Sequence, residues 1–502
     1  MVTKRKPDFE SNESTLLPYF GTKVVSAEEM ARVEKLAVQN GCSEEKFIEG
    51  AGTRVATAAM KWIEQHQLPK SLTLLVGKGN KGADAYAAGS VLLEEGFRVK
   101  AYSCFPPESC SEWNRKMGER FAKRRGQTVR FYDGEKITID AGLIIDGLLG
   151  TGFKGKVDGK METAILIANE SKQPILSIDL PSGLDGTTGE ARGDCIVAKQ
   201  TVTLGMAKSG LFFRDGWNYA GRLLVEDFGL PERFVAIARE FAYLPDMARL
   251  PLPKIVRNRH KYDAGYVVGY AGSEKMPGAP KMAGLAALRA GAGIVRVFHK
   301  GAIGDAPMEL ICQSWNQKEW KRELKRANAV FGGPGLDPGA RNWMKGIALP
   351  AVIDADALQK GACFPKQAVL TPHRGEMLRL LGLKSPPQEE DFLGRCQKFV
   401  ERQHVILVLK GAPTYLFAQR KPPLIIPRGD PGMATAGAGD VLTGVIAGLL
   451  AQKMDSYDAA AVGTYLHAVA GEKAAEEKTS YGLIARDLIE YLPKAFQELR
   501  DC

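Results

Sequence analysis

The sequence has few of the signals that mark membrane, secreted or metal-binding proteins. Its eight cysteines form no C-x-x-C pair, so neither a zinc site nor a disulfide framework is predicted. The longest stretch without Asp, Glu, Lys or Arg is Ala459–Gly471, 13 residues, whereas a membrane span needs about 18. Residues 1–20 begin with basic residues and lack the apolar core of a signal peptide. We therefore predict a mobile tail over residues 1–20, a cytoplasmic location and no membrane partner.

Long runs of one charge are also absent, although the 502 residues carry a net charge of +10. A dispersed positive excess disfavours nucleic-acid binding and suits anionic small molecules such as nucleotides. With 45% hydrophobic and 25% charged residues, the composition is that of globular domains and not of a disordered chain. We expect small-molecule substrates, no nucleic-acid partner and a homo-oligomer.

Short β-rich apolar runs alternate with helical segments along the whole chain. This alternation predicts parallel sheets covered by helices, an α/β fold. Three prolines interrupt the pattern within Leu244–Lys254, so we predict a linker there and two domains, residues 21–245 and 250–502. The predicted strands are Leu72–Val76, Val99–Cys104, Leu143–Ile145, Ile175–Asp179, Thr201–Leu204, Leu223–Glu226, Gly265–Ala271, Gly293–Phe298, Ala329–Gly332, Val352–Asp354, Val369–Leu370, Val405–Lys410 and Thr414–Phe417.

A glycine-rich loop follows the first predicted strand. Residues 77–82 read G-K-G-N-K-G, which satisfies G-x-G-x-x-G between a strand and a helix. The backbone N–H groups of such a turn can bind a phosphate, and the alternative is a tight turn without a ligand. The next strand ends in Cys104-Phe105-Pro106 without the acidic residue that would bind a ribose. A hydride-transfer Rossmann domain is therefore disfavoured.

Two later strands of this half end in an aspartate beside glycines, at Asp146 and Asp179. The carboxyl ends of parallel strands meet at one crevice. We therefore expect Asn80, Asp84, Asp146, Asp179 and Ser182 to face a single cavity. The alternative for any one aspartate is a cap on the helix or turn that follows it.

The longest glycine-rich segment lies in the second half. Residues 429–440 read G-D-P-G-M-A-T-A-G-A-G-D and precede an apolar helix predicted over Val441–Gln452. The N–H groups of Ala438, Gly439 and Asp440 at the helix start would form an anion hole for a transferring phosphoryl group. The Asp440 carboxylate would take a proton from the attacking hydroxyl. The alternative is a glycine-rich loop capped by Asp440.

Other loops of the second half fit a nucleotide and a polar co-substrate. FGGPGL (331–336) and IDADAL (353–358) each end a predicted strand, and LTPHRGE (370–376) places His373 in a loop. His373 either binds a ribose, phosphate or ring or only begins a helix. The segment Lys410–Thr414 either brackets a nucleotide or forms a simple hairpin turn.

The first half resembles a known domain through LLVGKGNKGAD, IIDGLLGTGF, SIDLPSGLDGTTG and the closing TVTLGMAKSGLFF. These segments, within residues 24–230, are similar to the N-terminal domain of bacterial bifunctional NAD(P)H-hydrate repair enzymes, which stands alone in eukaryotes as NAD(P)H-hydrate epimerase. The resemblance implies a Rossmann-like three-layer domain that interconverts the R and S forms of hydrated nicotinamide dinucleotides and binds potassium.

The resemblance also implies roles for individual residues. Asp146 and Ser182 match the potassium ligands. The positions that match substrate contacts are Asn80, Lys81, Gly82, Ala83, Asp84, Gly150, Thr151, Gly152, Phe153, Lys154, Gly155, Lys156 and Asp179. The family's loop reads N-N-G-G-D, and its second Asn, a potassium ligand, is Lys81 here. A protonated lysine has no lone pair for a metal. Three alternatives follow: Lys81 substitutes for potassium, Lys81 points to solvent beside a weakened potassium site, or the replacement of Asn by Lys has abolished the activity of the domain.

The second half resembles ADP/ATP-dependent NAD(P)H-hydrate dehydratase from Lys254 to the C-terminus. The similar segments are HKYDAGYVVGYAG, MPGAPKMAGLAALRAGAGIV, FGGPGL, DADAL, LTPHRGEMLRLLG, LKGAPTY and GMATAGAGDVLTGVIAGLLAQ. The resemblance implies a ribokinase-like α/β fold with magnesium and ADP or ATP. It implies that the hydrated dinucleotide binds at Ala279, Gly335, His373 and Asp440, and that the adenine nucleotide binds at Lys410, Gly411, Ala412, Pro413, Thr414 and Gly439.

Both resemblances together predict a bifunctional repair enzyme that epimerises NAD(P)HX and dehydrates its S form to NAD(P)H, with Asp440 as the catalytic base. Two alternatives remain open at this point. One is a ribokinase-like kinase of a vitamin pathway fused to a dinucleotide-binding module, and the other treats the first half as a non-enzymatic regulatory module.

Overall fold

The computed structural model describes residues 16–124, 127–132, 139, 142–337 and 342–501. Its chain divides into two units, one of residues 22–242 and one that joins the described residues up to Gly21 with those from Tyr243 onward. The division falls just ahead of the predicted linker Leu244–Lys254. Tyr243 and Leu244 are buried, and Tyr243 pairs with Leu424 in a sheet, so the chain already belongs to the second unit at this point.

The N-terminal unit is built on a parallel sheet. Its strands are β1 (Phe20–Val25), which enters this unit at Thr22, β2 (Ser71–Val76), β3 (Arg98–Ser103), β4 (Gln127–Phe131), β5 (Leu143–Gly147), β6 (Ile175–Ile178), β7 (Gln200–Leu204), β8 (Ala207–Lys208) and β9 (Arg222–Glu226). Its helices are α1 (Ala27–Gln39), α2 (Glu44–Gln65), α3 (Asn80–Glu94), α4 (Glu112–Ala122), α5 (Gly159–Glu170), α6 (Gly216–Ala220) and α7 (Glu232–Ala236). The main sheet has the order β4-β3-β2-β5-β6-β7-β9, and β1 pairs separately with β8 through Val24 and Ala207.

Alternation along the strands produces three layers in this unit. Successive strand residues point to opposite faces, so Leu72, Leu74 and Val76 of β2 join the core formed with α1, α2 and α3. Leu75 joins the opposite core, which contains Ile165 of α5. The predicted Rossmann-like three-layer α/β class is confirmed.

The C-terminal unit has its own largely parallel sheet. Its strands are β10 (Ala242–Pro245), β11 (Tyr266–Tyr270), β12 (Ile294–His299), β13 (Ile311–Ser314), β14 (Ala329–Gly332), β15 (Ala351–Ile353), β16 (Val369–Leu370), β17 (Ile406–Leu409), β18 (Thr414–Ala418) and β19 (Lys421–Ile426). Its helices are α8 (Ala279–Arg289), α9 (Gln317–Leu324), α10 (Arg374–Leu381), α11 (Glu389–Gln403), α12 (Ala438–Ala451), α13 (Ser456–Gly482) and α14 (Ala485–Asp501). The strand order is β13-β12-β11-β14-β15-β16-β17-β18-β19-β10.

Helices cover both faces of this second sheet. Val267 and Val297 pack in the core that contains α8, α12, α13 and α14. On the other face, Tyr270 contacts Trp320 of α9 as part of an aromatic cluster. The predicted α/β class of this half is confirmed. No helix in the described part of the chain has the length and apolar composition needed to cross a membrane.

Every strand predicted from the sequence is present, with ends shifted by one or two residues at most. The prediction missed β1, β4, β10 and β13, the two-residue β8, and β19. Strand β19 begins Lys421-Pro-Pro, and proline supplies no ladder donor, so a pattern search rejects such a segment. It is nevertheless paired along its length with β18.

The structure corrects the predicted tail at its last residues. Tyr19 is 2% exposed, and its hydroxyl donates to Asp458 Oδ1 at 2.6 Å. The Phe20 ring lies against Tyr457 and edge-on to Tyr243, with centroids 6.3 and 5.3 Å apart. The predicted tail is therefore wrong for Tyr19 and Phe20, because both aromatic rings pack into the hydrophobic core. Residues 1–15 lie outside the described residues.

Close packing of α8 against α12 brings their two N-termini to the same end of the unit. A Cβ at Gly444 would lie 2.1 Å from the Ala283 carbonyl oxygen, and one at Gly448 would lie 2.5 Å from that of Ala287. Both contacts advance by four residues in the same direction, so the helices run parallel. The glycines of α12 thus position the start of this helix beside the start of α8.

We predict that Gly444→Ala destabilises the C-terminal unit. The added methyl group has no space against the Ala283 carbonyl, and overpacking of this kind costs about 1–3 kcal/mol. Scanning calorimetry should show a lower Tm. The matched control is Gly394→Ala in α11, where nothing lies within 4 Å of the new Cβ and a gain of about 0.4–1 kcal/mol is expected. Equal Tm values for the two variants would contradict the packing described.

Candidate active sites

A cavity of about 350 Å³ lies at the carboxyl edge of the N-terminal sheet. Its walls come from α1, α2 and α3, from the end of β7, and from the loops after β5, β6 and β9. Apolar side chains such as Phe47 and Phe228 line one part of it. The polar and glycine residues that line it are Glu34, Lys35, Glu44, Asn80, Lys81, Asp84, Gly150, Thr151 and Asp179.

The glycine-rich loop between β2 and α3 is held close to the neighbouring strand. A Cβ at Gly77 would lie 1.8 Å from the Leu148 carbonyl oxygen, so only glycine fits. Asn114 Nδ2 donates to the carbonyl oxygens of Gly77 and Gly79 at 2.8 and 3.0 Å. The sequence analysis missed Asn114, because its position on α4 carries no local signal of this role.

Three of the carboxylates that line the cavity, Glu34, Asp84 and Asp179, lie near the buried Lys208. Asp179 has a left-handed backbone, with φ of 63°, and its Oδ1 accepts from Lys208 Nζ and from the Leu204 N–H. Burial raises the pKa of Glu34 to about 7, with Lys208 lowering it and Asp179 raising it. Burial, with Asp179 and Glu34 nearby, raises the pKa of Asp84 well above its usual range. This arrangement can hold a proton at neutral pH beside a bound molecule.

Glu34 and Lys208 were not nominated from the sequence. Glu34 lies on α1, where one charged residue on an amphipathic helix looks like any surface residue. Lys208 belongs to the quoted segment TVTLGMAKSGLFF but has a side chain that is only 1% exposed. Its burial is the signal of its role, and only the tertiary structure shows it.

Lys81 is buried and its ammonium group contacts four oxygen atoms. Nζ donates to Asp146 Oδ2 at 2.9 Å, to Ser182 Oγ at 2.9 Å, and to the carbonyl oxygens of Leu149 and Leu180 at 3.0 and 2.6 Å. The side chains of Lys81 and Asp146 are 5% and 0% exposed. Lys81 therefore does not point to solvent.

The structure brings together only some of the expected residues. Asp146 and Ser182 are fully buried and face the Lys81 ammonium instead of lining the cavity, so the expectation that five polar residues share one cavity is wrong for these two. Asn80, Asp84 and Asp179 do line it.

The remaining predicted contacts of this half lie away from the cavity lining. Gly82 and Ala83 are buried inside α3. In the loop after β5, Gly152, Phe153 and Gly155 are not among the lining residues. Lys154 pairs with Glu28 at 2.7 Å, and Lys156 lies 3.9 Å from Glu162.

In the C-terminal unit, a buried aspartate organises the start of α12. Asp354 Oδ1 accepts from Lys410 Nζ at 2.7 Å, and its Oδ2 accepts from Thr443 Oγ1 at 2.9 Å. A Cβ at Gly439 would lie 3.1 Å from Lys410 Nζ. The predicted residues Lys410, Gly439 and Asp440 are thus neighbours, because the loops after β15 and β17 end beside this helix start.

Asp440, in the first turn of α12, has an altered pKa. Burial and the nearby Asp354 raise it to about 7, while Lys410 lowers it. His467 of α13 donates through Nε2 to the Ala438 carbonyl oxygen at 2.9 Å, and burial lowers its pKa to about 4. A neutral histidine therefore supports the helix start. Thr443 and His467 were missed because their types and spacing resemble ordinary helix residues.

Ala279 and Gly335 are brought together at the start of α8. A Cβ at Gly335 would lie 2.9 Å from Ala279 Cβ and 2.8 Å from Met276 Cβ, and the φ of Gly335 is 60°. A side chain at position 335 would therefore displace the start of the helix. Since α8 and α12 run parallel, these two residues lie at the same end of the unit as Asp440.

His373 caps the start of α10, which is one of the two roles that the sequence analysis considered for it. Its Nδ1 accepts from the N–H groups of Gly375 and Glu376 at 3.0 and 3.3 Å, and Glu376 Oε2 accepts from the His373 N–H at 2.8 Å. This capping box leaves the imidazole 57% exposed and beside Lys410, with which His373 forms a parallel bridge. A capping role and a ligand contact through Nε2 are therefore compatible.

The segment Lys410–Thr414 joins two antiparallel strands, β17 and β18. The Thr414 hydroxyl donates to the Gly411 carbonyl oxygen at 3.0 Å, which closes the turn. Ala412 and Pro413 lie within it, and Lys410 at its start faces Asp354. The turn is a hairpin that also borders the α12 site.

Comparison with known proteins gives matches in both halves. Residues 267–494 match the family model described as NAD(P)H-hydrate dehydratase, and residues 44–210 match the YjeF-related protein N-terminus. A bifunctional NAD(P)H-hydrate repair enzyme from Moorella thermoacetica is 34% identical, with 95% of this chain and 97% of that protein covered. One from Coxiella burnetii is 33% identical, with 92% and 97% covered. The chain belongs to the bifunctional NAD(P)H-hydrate repair enzymes.

Membership in the bifunctional repair enzymes confirms the resemblance of both halves. It does not favour the alternative of a vitamin-pathway kinase fused to a dinucleotide-binding module. Among solved structures, an ADP/ATP-dependent NAD(P)H-hydrate dehydratase from Bacillus subtilis, co-crystallised with ATP and Mg²⁺, is 27% identical. The match covers 50% of this chain and 96% of that one, with a TM-score of 0.45.

We predict that two substitutions at His373 separate its capping role from any ligand role. His373→Ala removes the cap and should cost about 1 kcal/mol of stability, whereas His373→Asn keeps an acceptor for the same N–H groups and should leave Tm nearly unchanged. Thermal unfolding measures this difference. If dehydratase activity falls equally in both variants, the imidazole itself contacts a ligand. If Tm falls as much in His373→Asn as in His373→Ala, the capping geometry is contradicted.

Proposed function

We propose that this protein repairs hydrated nicotinamide dinucleotides. Its N-terminal unit interconverts the R and S forms of NAD(P)HX, and its C-terminal unit dehydrates the S form to NAD(P)H with ADP or ATP as phosphoryl donor. The observation that carries this proposal is the half-buried Asp440 in the first turn of α12, near Lys410 and Asp354. Family membership over nearly the whole chain supports both activities.

In the dehydratase step, the hydroxyl at C6 of the hydrated ring must become a better leaving group. Asp440 accepts the hydroxyl proton while the oxygen attacks the terminal phosphoryl group of the nucleotide. The ring nitrogen lone pair then expels phosphate, and loss of a ring proton restores the dihydropyridine. A base with a pKa of about 7 is partly ionised at neutral pH and still accepts a proton readily, which favours general-base catalysis.

The start of α12 supplies positive potential to this step. The N–H groups of Gly439 and Asp440 lie in the first turn of α12, where backbone N–H groups are free to bind an anion. The Ala438 N–H donates to the Thr435 carbonyl oxygen at 3.3 Å. The Lys410 ammonium group lies next to Gly439 and pairs with Asp354. We propose that these groups bind the transferring phosphoryl oxygens, with Gly411–Thr414 beside the nucleotide and with Ala279, Gly335 and His373 beside the hydrated dinucleotide.

Magnesium fits this site as an ion that arrives on the nucleotide phosphates. Mg²⁺ is usually bound through substrate phosphates and keeps several waters. The two carboxylates of the α12 site already have roles, Asp440 as the proposed base and Asp354 as the partner of Lys410 and Thr443, so the nucleotide phosphates would hold the ion. In the described residues, no group of three or more His, Cys, Asp and Glu side chains is placed to hold a metal ion. When bound, the ion would neutralise phosphate charge during transfer.

In the epimerase step, C6 must lose and regain its hydroxyl group. Protonation of that hydroxyl lets it leave as water, the ring nitrogen stabilises the cation that forms, and water returns from the opposite face. Asp84 and Glu34, whose pKa values burial raises, are suited to donate this proton at neutral pH. Asp179 lies close enough to both to stabilise the cation.

Potassium, which the resemblance implied for this half, does not fit the residues present. The Lys81 ammonium group already occupies the place between Asp146 and Ser182, and it brings no lone pair to a metal. No step of the mechanism therefore uses potassium. The homo-oligomeric state and the cytoplasmic location stay predictions of the sequence.

Asp440→Asn should abolish dehydration and leave epimerisation intact. The substitution keeps the shape of the side chain but removes the base, and a positioned base contributes about 10²–10⁴-fold to the rate. The assay mixes the protein with hydrated NADH, ADP and Mg²⁺ and follows the absorbance of the restored dihydronicotinamide, while NMR follows R-to-S exchange. Full dehydratase activity in the variant would refute the mechanism. A stable phosphorylated product would indicate a kinase, and binding without exchange would indicate a regulatory module.

The dehydratase rate should rise with pH through the pKa of Asp440, because only the ionised carboxylate accepts a proton. Below about pH 7, kcat/KM should fall about tenfold per pH unit. Asp354→Asn removes the like charge that raises this pKa, so the acidic limb should move to lower pH. The control is Asp356→Asn, two residues away and exposed. If the acidic limb of the kcat/KM profile of Asp354→Asn stays at the wild-type pH, Asp354 does not raise the pKa of Asp440.

A further inference from the structure

The contacts of Lys81 have the composition of a cation-binding site. One carboxylate oxygen, one hydroxyl oxygen and two backbone carbonyl oxygens surround Nζ at 2.6–3.0 Å. Hard monovalent and divalent cations take oxygen ligands of these kinds. An ammonium group carries the same unit charge as a monovalent metal ion, with three protons to share among the four oxygens.

One of these oxygens belongs to Asp146 of β5, and the other three come from the loops after β5 and β6, which form part of the cavity wall. Leu149 precedes Gly150 and Thr151, which line the cavity, and Leu180 follows Asp179. Asp146 itself accepts from the Ser177 hydroxyl and from the Ser182 N–H. A positive charge at this point therefore joins the loop after β5 to the loop after β6 and sets the distance between their lining residues.

Removing the positive charge would leave Asp146 buried without a compensating cation. An unpaired buried carboxylate is strongly unfavourable, so either a lysine or a metal ion is required here. The Lys81 side chain starts from the first turn of α3 and is covalently fixed. It supplies the charge at every concentration of salt, whereas a free ion would have to be bound from solution.

We propose that the Lys81 ammonium group is a tethered replacement for a monovalent metal ion, so that the cavity of the N-terminal unit is organised without potassium. Lys81 acts as a positioning residue, since its charged end contacts the loops and not the cavity. This proposal concerns the site of the proposed epimerase activity, and only its test by R-to-S exchange rate depends on that activity. The thermal measurement described next stands apart from that activity.

The test compares full-length wild type with Lys81→Asn in potassium buffer and in choline buffer of equal ionic strength. Wild type should show the same Tm in both buffers and R-to-S exchange rates within about twofold of each other. Lys81→Asn restores an oxygen ligand and space for an ion. Its exchange rate should fall on the order of ten- to a hundredfold in choline and recover, together with Tm, as potassium is added.

Two further variants act as controls. Lys81→Met fills the space without a charge or an oxygen, so its Tm and rate should stay low in both buffers. Lys70→Asn removes an exposed lysine at the start of β2 and should behave as wild type. If Lys81→Asn does not fold in either buffer, the wild-type potassium titration still decides, because a potassium-dependent Tm contradicts the proposal.

Three outcomes would overturn the proposal: wild type activated tenfold or more by potassium, a wild-type Tm that rises with potassium, or Lys81→Asn fully active and stable in choline. Absence of R-to-S exchange in every sample would instead overturn the epimerase function. In that case the Tm values of wild type, Lys81→Asn and Lys81→Met in the two buffers still decide whether lysine replaces the ion.

Discussion

Both units depend on burying an aspartate at the carboxyl end of a strand, because such a charge is tolerated only beside a cation. Asp146 pairs with Lys81, Asp179 with Lys208, and Asp354 with Lys410. Each lysine comes from a segment distant in sequence from its aspartate. Each pair therefore ties a separate segment to the carboxyl edge of its own sheet, and the cavity and the α12 site are formed beside these pairs.

The carboxylates with raised pKa values are different residues from these three. Glu34, Asp84 and Asp440 are each half-buried near another acidic group, and partial burial disfavours their charged forms. The paired aspartates thus act as structural anchors, and the others hold protons that chemistry can use. Both sites thus combine lysine-paired aspartates with carboxylates of raised pKa, although their sheets and helices differ.

The sequence was a good guide to the strands and glycine-rich loops and a poor guide to buried polar partners. Gly77 and Gly335 lie where a side chain would collide with a neighbouring segment, and short strands with glycine at their ends carry that information locally. Lys208, Asn114 and His467 act through contacts with residues at least 20 positions away. No local pattern identifies such residues, since an ordinary helix or strand contains the same types.

The α/β class of both halves, their order along the chain, and the loops that contain Asp440 and Gly77 can be derived from the sequence. Periodicity and glycine spacing are local properties, so they can be recognised without a structure. The direction of the Lys81 side chain, by contrast, follows from the folded protein. Whether a lysine lies in solvent or in a shell of four oxygens depends on which loops fold over it, and those loops come from residues 65 to 101 positions away.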